Sequence, residues 1–408
     1  MEHLHISPTL IHPLAIEVCR VLHENEYQAF IVGGCVRDLL LGQKPKDWDI
    51  CTDASPKRVM EIFQKTIPTG LQHGTVTVCM GEDVENHFEV TTFRIEGEYS
   101  DGRRPDEVFF VMDVEQDLAR RDLTINAIAY DPLTNVCVDP FHGIEDLQQG
   151  LIRAVGNPTI RFQEDGLRIM RVARFASRFG YQVEEETIKG ISENLETLKR
   201  VSKERIRDEL CKILMASNPN IGLRILSSTG ALKIVSPSLR FHPEANDFPW
   251  AGELETRIAI LYIHRLQEVE GELELLKFSN REIKKVLLLQ ELFGRWWRAT
   301  HRNGGSGAYK VFISIIKNRP IDDYASTLRQ FIIFGESLGY PVQEWLNLYQ
   351  NEVVFARKEM QINGNDLMEA GMPAGPKLKT ALDECYKEIL LHPEHNTKAY
   401  LLKVAKLA

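Results

Sequence analysis

The chain reads as an α+β protein, a small mixed α/β domain followed by a long all-α remainder. Two observations predict this. Strand and helix signals alternate to about Gly150, and from Thr159 onward helical periodicity takes over while strand signals vanish. A third sets the scale: 408 residues with 43% hydrophobic content suffice for two to four folding units, each with its own core.

Taken in order, Leu14 to Leu22 has helical spacing, Gln28 to Val32 is a β run, and Cys35 to Leu41 is a short helix. Asp47 to Cys51 reads as a strand. Ser55-Pro56 opens a helix to about Lys65, with proline at a favoured first-turn position. Thr75 to Met80 and Phe88 to Arg94 alternate as strands, and Val108 to Met112 makes another. The helical remainder divides at about Ala216 and Ser306, giving 1–150, 151–216, 217–306 and 307–408. Asn303-Gly304-Gly305-Ser306-Gly307 is its most linker-like stretch. There is no internal repeat.

Composition excludes several classes. Charged residues make up 26%, ordinary for a soluble globular protein. The seven cysteines are odd in number and scattered with no Cys-x-x-Cys pair, so neither a zinc site nor a disulfide framework is expected, and reduced thiols in a cytoplasmic setting are. Met1 to Leu10 lacks the basic-then-apolar pattern of a signal peptide. No apolar run reaches the roughly 18 residues of a membrane span, so no membrane partner is expected. The net charge of −9 looks wrong for an RNA binder, since phosphate contacts dominate nucleic-acid affinity. Its distribution reverses that. Arg161, Arg168, Arg171, Arg174 and Arg178 face only Glu164 and Asp165 in their stretch, and six basic residues between Lys199 and Lys212 face three acidic ones.

The chemistry concentrates in Val32-Gly33-Gly34-Cys35-Val36-Arg37-Asp38 and Lys46-Asp47-Trp48-Asp49-Ile50. Residues two apart on a strand share a face, about 6 to 7 Å apart, so Asp47 and Asp49 point the same way. Two carboxylates so placed repel unless a cation lies between them, and Mg²⁺ with its preference for oxygen ligands is the natural occupant. Gly33 and Gly34, at the end of a β run, let backbone N–H groups approach phosphate oxygens. Either motif alone is common on solvated edges and turns. Together they describe a nucleotide-transfer site.

With Arg37-Asp38 between them, these motifs resemble the head domain of the CCA-adding tRNA nucleotidyltransferases and related bacterial poly(A) polymerases, a branch of the polymerase-β-like nucleotidyltransferases. Arg120-Arg121-Asp122-Leu123-Thr124-Ile125-Asn126-Ala127, then Asp139 to Leu147, then Glu164-Asp165-Gly166-Leu167-Arg168-Ile169-Met170-Arg171 extend the match in the family's order. It covers about residues 28 to 210 and returns at Ile362 to Leu367 and Gly375 to Leu378. The resemblance implies a polymerase-β-like head over 1–150, a helical neck with a nucleotide-selecting motif over 151–216, a body over 217–306 and a tRNA-binding tail over 307–408. It implies tRNA, CTP and ATP as substrates and no stable protein partner. The His-Asp doublet of the phosphohydrolase domain fused to some members is absent from the sequence.

Five segments carry two or more readings each. A polymerase of this type needs a third carboxylate; Glu89 is the candidate, though a salt bridge to Arg94 or a solvent-facing position are equal alternatives. Arg121, Asp122 and Asn126 stand at a helix start, where Asp122 is either a cap beside a surface Arg121 or part of the segment that in the family holds ribose and phosphates. Glu164, Asp165, Arg168, Arg171 and Arg174 at helical spacing are either surface ion pairs or a base reader. In the second reading Asp165 accepts and Arg168 donates, which fits the amino group and ring nitrogen of C or A and mismatches U and G. Arg171 and Arg174 continue that face toward the triphosphate or the RNA end. Gly97 to Asp106 is either a polar connection or the mobile loop that, in the family, enzymes adding only CC lack. Arg281, Lys284, Lys285 and the Arg295-Trp296-Trp297-Arg298 stretch are either helical core or an RNA clamp. Full CCA addition is the expected activity. A-only addition, poly(A) synthesis and a catalytically inert RNA-binding protein are the alternatives.

Overall fold

In the computed structural model, residues 6–96, 108–239, 241, 250–263, 267–303, 324–339 and 359–407 are described. The 97–106 connection and the 303–307 linker fall wholly or mostly outside them, as do the side chains of the Arg295 to Arg298 stretch. The chain divides into two compact units, 1–246 and 247–408.

The first unit is built on a seven-stranded sheet. Its strands are β1 (Ala29–Val32), β2 (Asp49–Thr52), β3 (Thr66–Gly70), β4 (Thr75–Cys79), β5 (His87–Thr92), β8 (Ala129–Asp131) and β9 (Val136–Val138); β6 (Arg94–Glu96) and β7 (Val108–Phe110) pair separately. The order is β3-β4-β5-β2-β1-β8-β9, antiparallel throughout except that β2 and β5 run parallel. Alternation fixes the faces: Phe88, Val90 and Thr92 of β5 are buried while Glu89 is exposed. Helix α1 (Pro13–Glu24) buries Ala15, Val18, Cys19 and Leu22, one stripe at helical spacing. Val32, Cys51, Phe93, Val114, Leu118 and Ala129 form a second cluster, to which α4 (Val114–Ala119) contributes.

Helices α2 (Gly34–Leu40), α3 (Pro56–Ile62) and α5 (Gly143–Gln149) complete the sheet domain. Next come α6 (Pro158–Glu164), α7 (Leu167–Phe179), α8 (Glu185–Glu193), α9 (Leu195–Lys199), α10 (Lys203–Leu214), α11 (Pro219–Ser228) and α12 (Leu232–Val235). α7 packs against α10 and α11. At Gly222 the approach is so close that a Cβ would lie 2.2 Å from Ser177 Oγ and 2.7 Å from the Ala173 carbonyl. The second unit is helical among its described residues, and there Gln330 Oε1 accepts from Thr256 Oγ1 at 2.7 Å. No described helix is long and apolar enough to cross a membrane.

The mixed domain followed by helices is as expected, with local corrections. Asp47 lies in a bend ahead of β2, which starts at Asp49. The third helix stops at Ile62 and Thr66–Gly70 is a strand. The helical part is not free of strand: β11 (Gln182–Val183) pairs in parallel with β10 (Leu151–Ile152). β8, unforeseen, pairs with β1, and β9, also unforeseen, with β8.

Candidate active site

The parallel pairing of β2 with β5 sets Asp49 directly beside Glu89. Paired residues project to one face, so the two carboxylates share a side of the sheet, while Trp48 and Phe88 turn to the other side, where His12 packs edge-on against both. Although Asp47 precedes the strand, Glu89 N donates to the Trp48 carbonyl at 3.2 Å, so the extended run and its alternation reach back toward Asp47. Glu89 makes no ion pair among the described residues, which removes the Arg94 alternative. Burial raises the Asp49 carboxyl; Arg121 opposes this, Glu89 and Asp47 add to it, and the result is a group pushed up to about 6. Asp49 and Glu89 on one face, with Asp47 near enough to raise Asp49, offer hard oxygen donors that fit a divalent cation.

Gly33 closes the floor. Its φ of 78° belongs to the left-handed half of the map, and a Cβ there would meet Arg121 Nη1 at 2.8 Å. Gly34 opens α2. The Arg121 side chain is 19% exposed, not a surface group, and Asp117, fully buried on α4, holds it. One Asp117 oxygen accepts from Arg121 Nη2 at 3.1 Å; the other accepts from Arg120 Nη2 at 2.8 Å and from the Arg94 backbone N–H at 3.3 Å. Sequence reasoning missed Asp117, although its i,i+4 spacing to Arg121 was a usable signal.

Asp122 is no helix cap, because the segment after it is a single 3-10 turn, Thr124–Asn126. Its carboxylate accepts from Arg171 Nε at 2.5 Å and from Asn126 Nδ2 at 3.2 Å. Burial alone would raise this carboxyl, yet Arg171 and Asn126 hold it well below the usual carboxylate range. Asn126 Oδ1 accepts in turn from Arg37 Nη1 at 2.5 Å. Arg37 is buried, bonded to Asp38, with its guanidinium 5.2 and 5.1 Å from the Phe175 and Phe179 ring centroids.

The expected continuous helix from Glu164 is broken. α6 ends at Glu164, Asp165 is extended (φ −142°, ψ 107°), and α7 begins at Leu167. The break falls at Asp165; at Gly166, which leads into α7, a Cβ would lie 2.5 Å from backbone atoms of Thr197, so only glycine fits against α9. Arg168 and Asp165 therefore do not pair. Arg168 Nη1 donates to Glu164 Oε2 at 2.5 Å and Nη2 to the Arg120 carbonyl at 2.9 Å. Asp165 Oδ2 accepts from Arg205 Nη2 of α10 at 2.8 Å, while Oδ1 accepts from the Leu167 N–H at 2.9 Å. Arg174 binds buried Glu209 at 3.0 Å. Arg205 and Glu209 were also missed, lying 40 and 35 residues from their partners.

These groups surround one cavity of about 640 Å³ lined by nine arginines, 37, 94, 120, 121, 168, 171, 174, 178 and 205, against Asp49, Asp122 and Asp165. Asn126, Gly34 and Phe175 complete much of the wall. A cavity of this charge suits a polyanion, and the carboxylate at its edge suits a metal-carried triphosphate. Fold and site define a nucleotidyltransferase.

Comparison with known proteins narrows this class. The poly A polymerase head domain family model matches residues 29–153, the probable RNA and SrmB-binding site of polymerase A matches 180–241, and tRNA nucleotidyltransferase domain 2 matches 253–405. The chain is 47% identical to the CCA-adding enzyme of Limosilactobacillus reuteri over 393 residues, covering 92% of each chain. It is 36% identical to that of Ligilactobacillus salivarius over 409 residues, covering 96% of this chain and 95% of the relative. The crystal structure of the Bacillus stearothermophilus CCA-adding enzyme in complex with CTP superposes with a TM-score of 0.73 at 30% identity, covering 97% and 99% of the two chains. The chain belongs to the CCA-adding enzymes, nucleotidyltransferases that use divalent metal ions.

Proposed function

We propose that this protein adds C, C and A to the 3′ end of tRNA from CTP and ATP without a nucleic-acid template, releasing pyrophosphate, in the cytoplasm. The observation that carries the reading is one cavity with Asp49 at its edge and both Asp165 and Arg168 in its wall. The names of its relatives and the CTP held by the Bacillus stearothermophilus enzyme support it.

In this reading Asp47 and Asp49 hold Mg²⁺, with Glu89 as third carboxylate. The ion supplies acidification of the primer 3′-hydroxyl and charge neutralisation on the triphosphate. The 3′-hydroxyl gives up its proton to solvent and its oxygen bonds to the α-phosphorus as the bond from that phosphorus to the bridging oxygen breaks, and pyrophosphate carries the negative charge away. Arg121, Arg171 and Arg174 stabilise that charge. Gly33 and Gly34 admit the phosphates close to backbone, and Arg37, Asp122 and Asn126 brace the wall. Asp165, oriented by Arg205, accepts from the amino group of C or A, and Arg168, oriented by Glu164, donates to the ring nitrogen. A carboxylate oxygen has two lone pairs, so the bond from Arg205 leaves Asp165 able to accept. The ranges 1–150, 151–216, 217–306 and 307–408 serve as catalytic head, nucleotide-selecting neck, body and tRNA-binding tail.

End-labelled tRNA lacking its 3′ CCA tests this. CTP alone should extend it by two residues, CTP with ATP by three, and ATP alone by none. A long A ladder would identify a poly(A) polymerase, extension only of primers already ending in CC an A-adding enzyme, and no extension an inert scaffold.

A further inference from the structure

The last helical hairpin of the second unit carries a cluster of metal-ligating side chains that the transfer reaction does not use. Helix Pro376–Leu391 ends at His392, the turn Pro393–His395 follows, and helix Lys398–Leu407 returns. His392, Glu394 and His395 each present a ligand atom, and these lie within 4.8 Å of one another, the one such group among the described residues. His392 Nδ1 stands 3.4 Å from Glu394 Oε1, and the two imidazole centroids are 4.8 Å apart.

The turn is held from behind. His395 Nδ1 is hydrogen-bonded to Glu388 Oε1 at 2.7 Å, and Tyr400 stacks on the ring at 4.0 Å. With Nδ1 engaged, Nε2 is the nitrogen available to a ligand; a carboxylate behind an imidazole fixes its tautomer and raises its basicity as a metal ligand. The Asn396 side chain accepts from the Gln361 N–H at 2.9 Å and donates to the Glu359 carbonyl at 3.0 Å, pinning the turn to the segment before it.

We infer that His392, Glu394 and His395 bind one late first-row divalent cation, with Zn²⁺ as the representative ion. Two imidazoles and one carboxylate favour such ions over Mg²⁺ or Ca²⁺, which prefer oxygen. Tetrahedral zinc ligands at roughly 2.0 to 2.2 Å stand about 3.3 to 3.6 Å from one another, so closure draws the ligand atoms together by about 1 Å. His392 and Glu394 are 51% and 68% exposed and have room to rotate that far. Three protein ligands leave a fourth position for water, and the ion would staple the two helices at their connection.

The test is calorimetric titration of the full chain with ZnCl2 while Mg²⁺ in large excess occupies the carboxylates near Asp49, comparing wild type with His392→Ala, His395→Ala and Glu388→Gln. Wild type should take up one Zn²⁺ per chain more than either histidine variant. Glu388→Gln should keep the stoichiometry with affinity lowered about tenfold or more. Histidine variants that titrate like wild type would overturn the site, and an unchanged affinity in Glu388→Gln would overturn the role given to Glu388. If His395→Ala fails to fold, exposed His392 still decides, with metal-free melting as the fold control.

Discussion

The unpaired carboxylates at β2 and β5 and the paired ones around α6, α7 and α10 stand in opposite electrostatic states. Asp47, Asp49 and Glu89 make no ion pair among the described residues, and Asp49 is pushed up to about 6. Asp122, Glu164, Asp165 and Glu209 are each committed to an arginine, at 2.5, 2.5, 2.8 and 3.0 Å, and Asp122 sits below the usual carboxylate range. Unpaired carboxylates on one face are a site completed from outside by a cation. Paired ones are a frame that keeps its shape before any nucleotide arrives, so its orientation costs nothing at the moment of reaction. In the proposed enzyme, chemistry and selectivity are thus separable, and the predictions break one without the other.

The largest effect should come from the unpaired set. Asp49→Ala should lower incorporation of every nucleotide at least about 10³-fold, some 4 kcal/mol, and Asp47→Ala similarly, while tRNA binding measured by filter retention stays near wild type. Retained turnover in Asp49→Ala would erase the distinction between the two sets. Breaking the frame at its missed member should cost less: Arg205→Ala frees Asp165 and should lose roughly 1 to 3 kcal/mol of discrimination for CTP over UTP, read from kcat/KM. Deleting several residues within 97–106 should leave CC addition intact and lose the terminal A; equal loss of both steps would make that segment structural.

The smallest effect concerns pH. The Asp49 carboxyl is raised from 3.8 to about 6 in the fold, so ionising it destabilises the metal-free protein, and stability drops as pH rises from about 4 through 6. Asp49→Asn removes this and should stabilise the metal-free protein by about 1 to 3 kcal/mol at pH 8, raising Tm by several degrees. Below pH 4 the two should melt together. A variant less stable than wild type at pH 8 would mean that Asp49 is already compensated.

Much of this site was legible in the sequence because its signals are local. Alternation predicted Asp47 and Asp49 on one face, of which β2 carries only Asp49, and Gly33 needed only a turn that excludes a side chain. Glu89 was legible as a strand residue but not as the neighbour of Asp49, since register between β2 and β5 spans 40 residues and leaves no local trace. β3 contains Pro68 and Gly70, which read as turn signals, and β8 has three residues, too few to alternate. The break at Asp165 was hidden because helical spacing continues on both sides; the glycine that follows it inside such a run was the available clue. Arg205 and Glu209 became visible only when folding brought α10 against α7.

The central claim is that selectivity lies in Asp165 and Arg168 and cation chemistry in the head carboxylates. Steady-state kinetics of Asp165→Ala with CTP, ATP, UTP and GTP on one tRNA primer, at several Mg²⁺ concentrations, test it most directly. The account predicts that UTP and GTP become competitive substrates while the Mg²⁺ dependence stays that of wild type. A variant that slows all four nucleotides equally, keeping its preference for CTP and ATP, would contradict it.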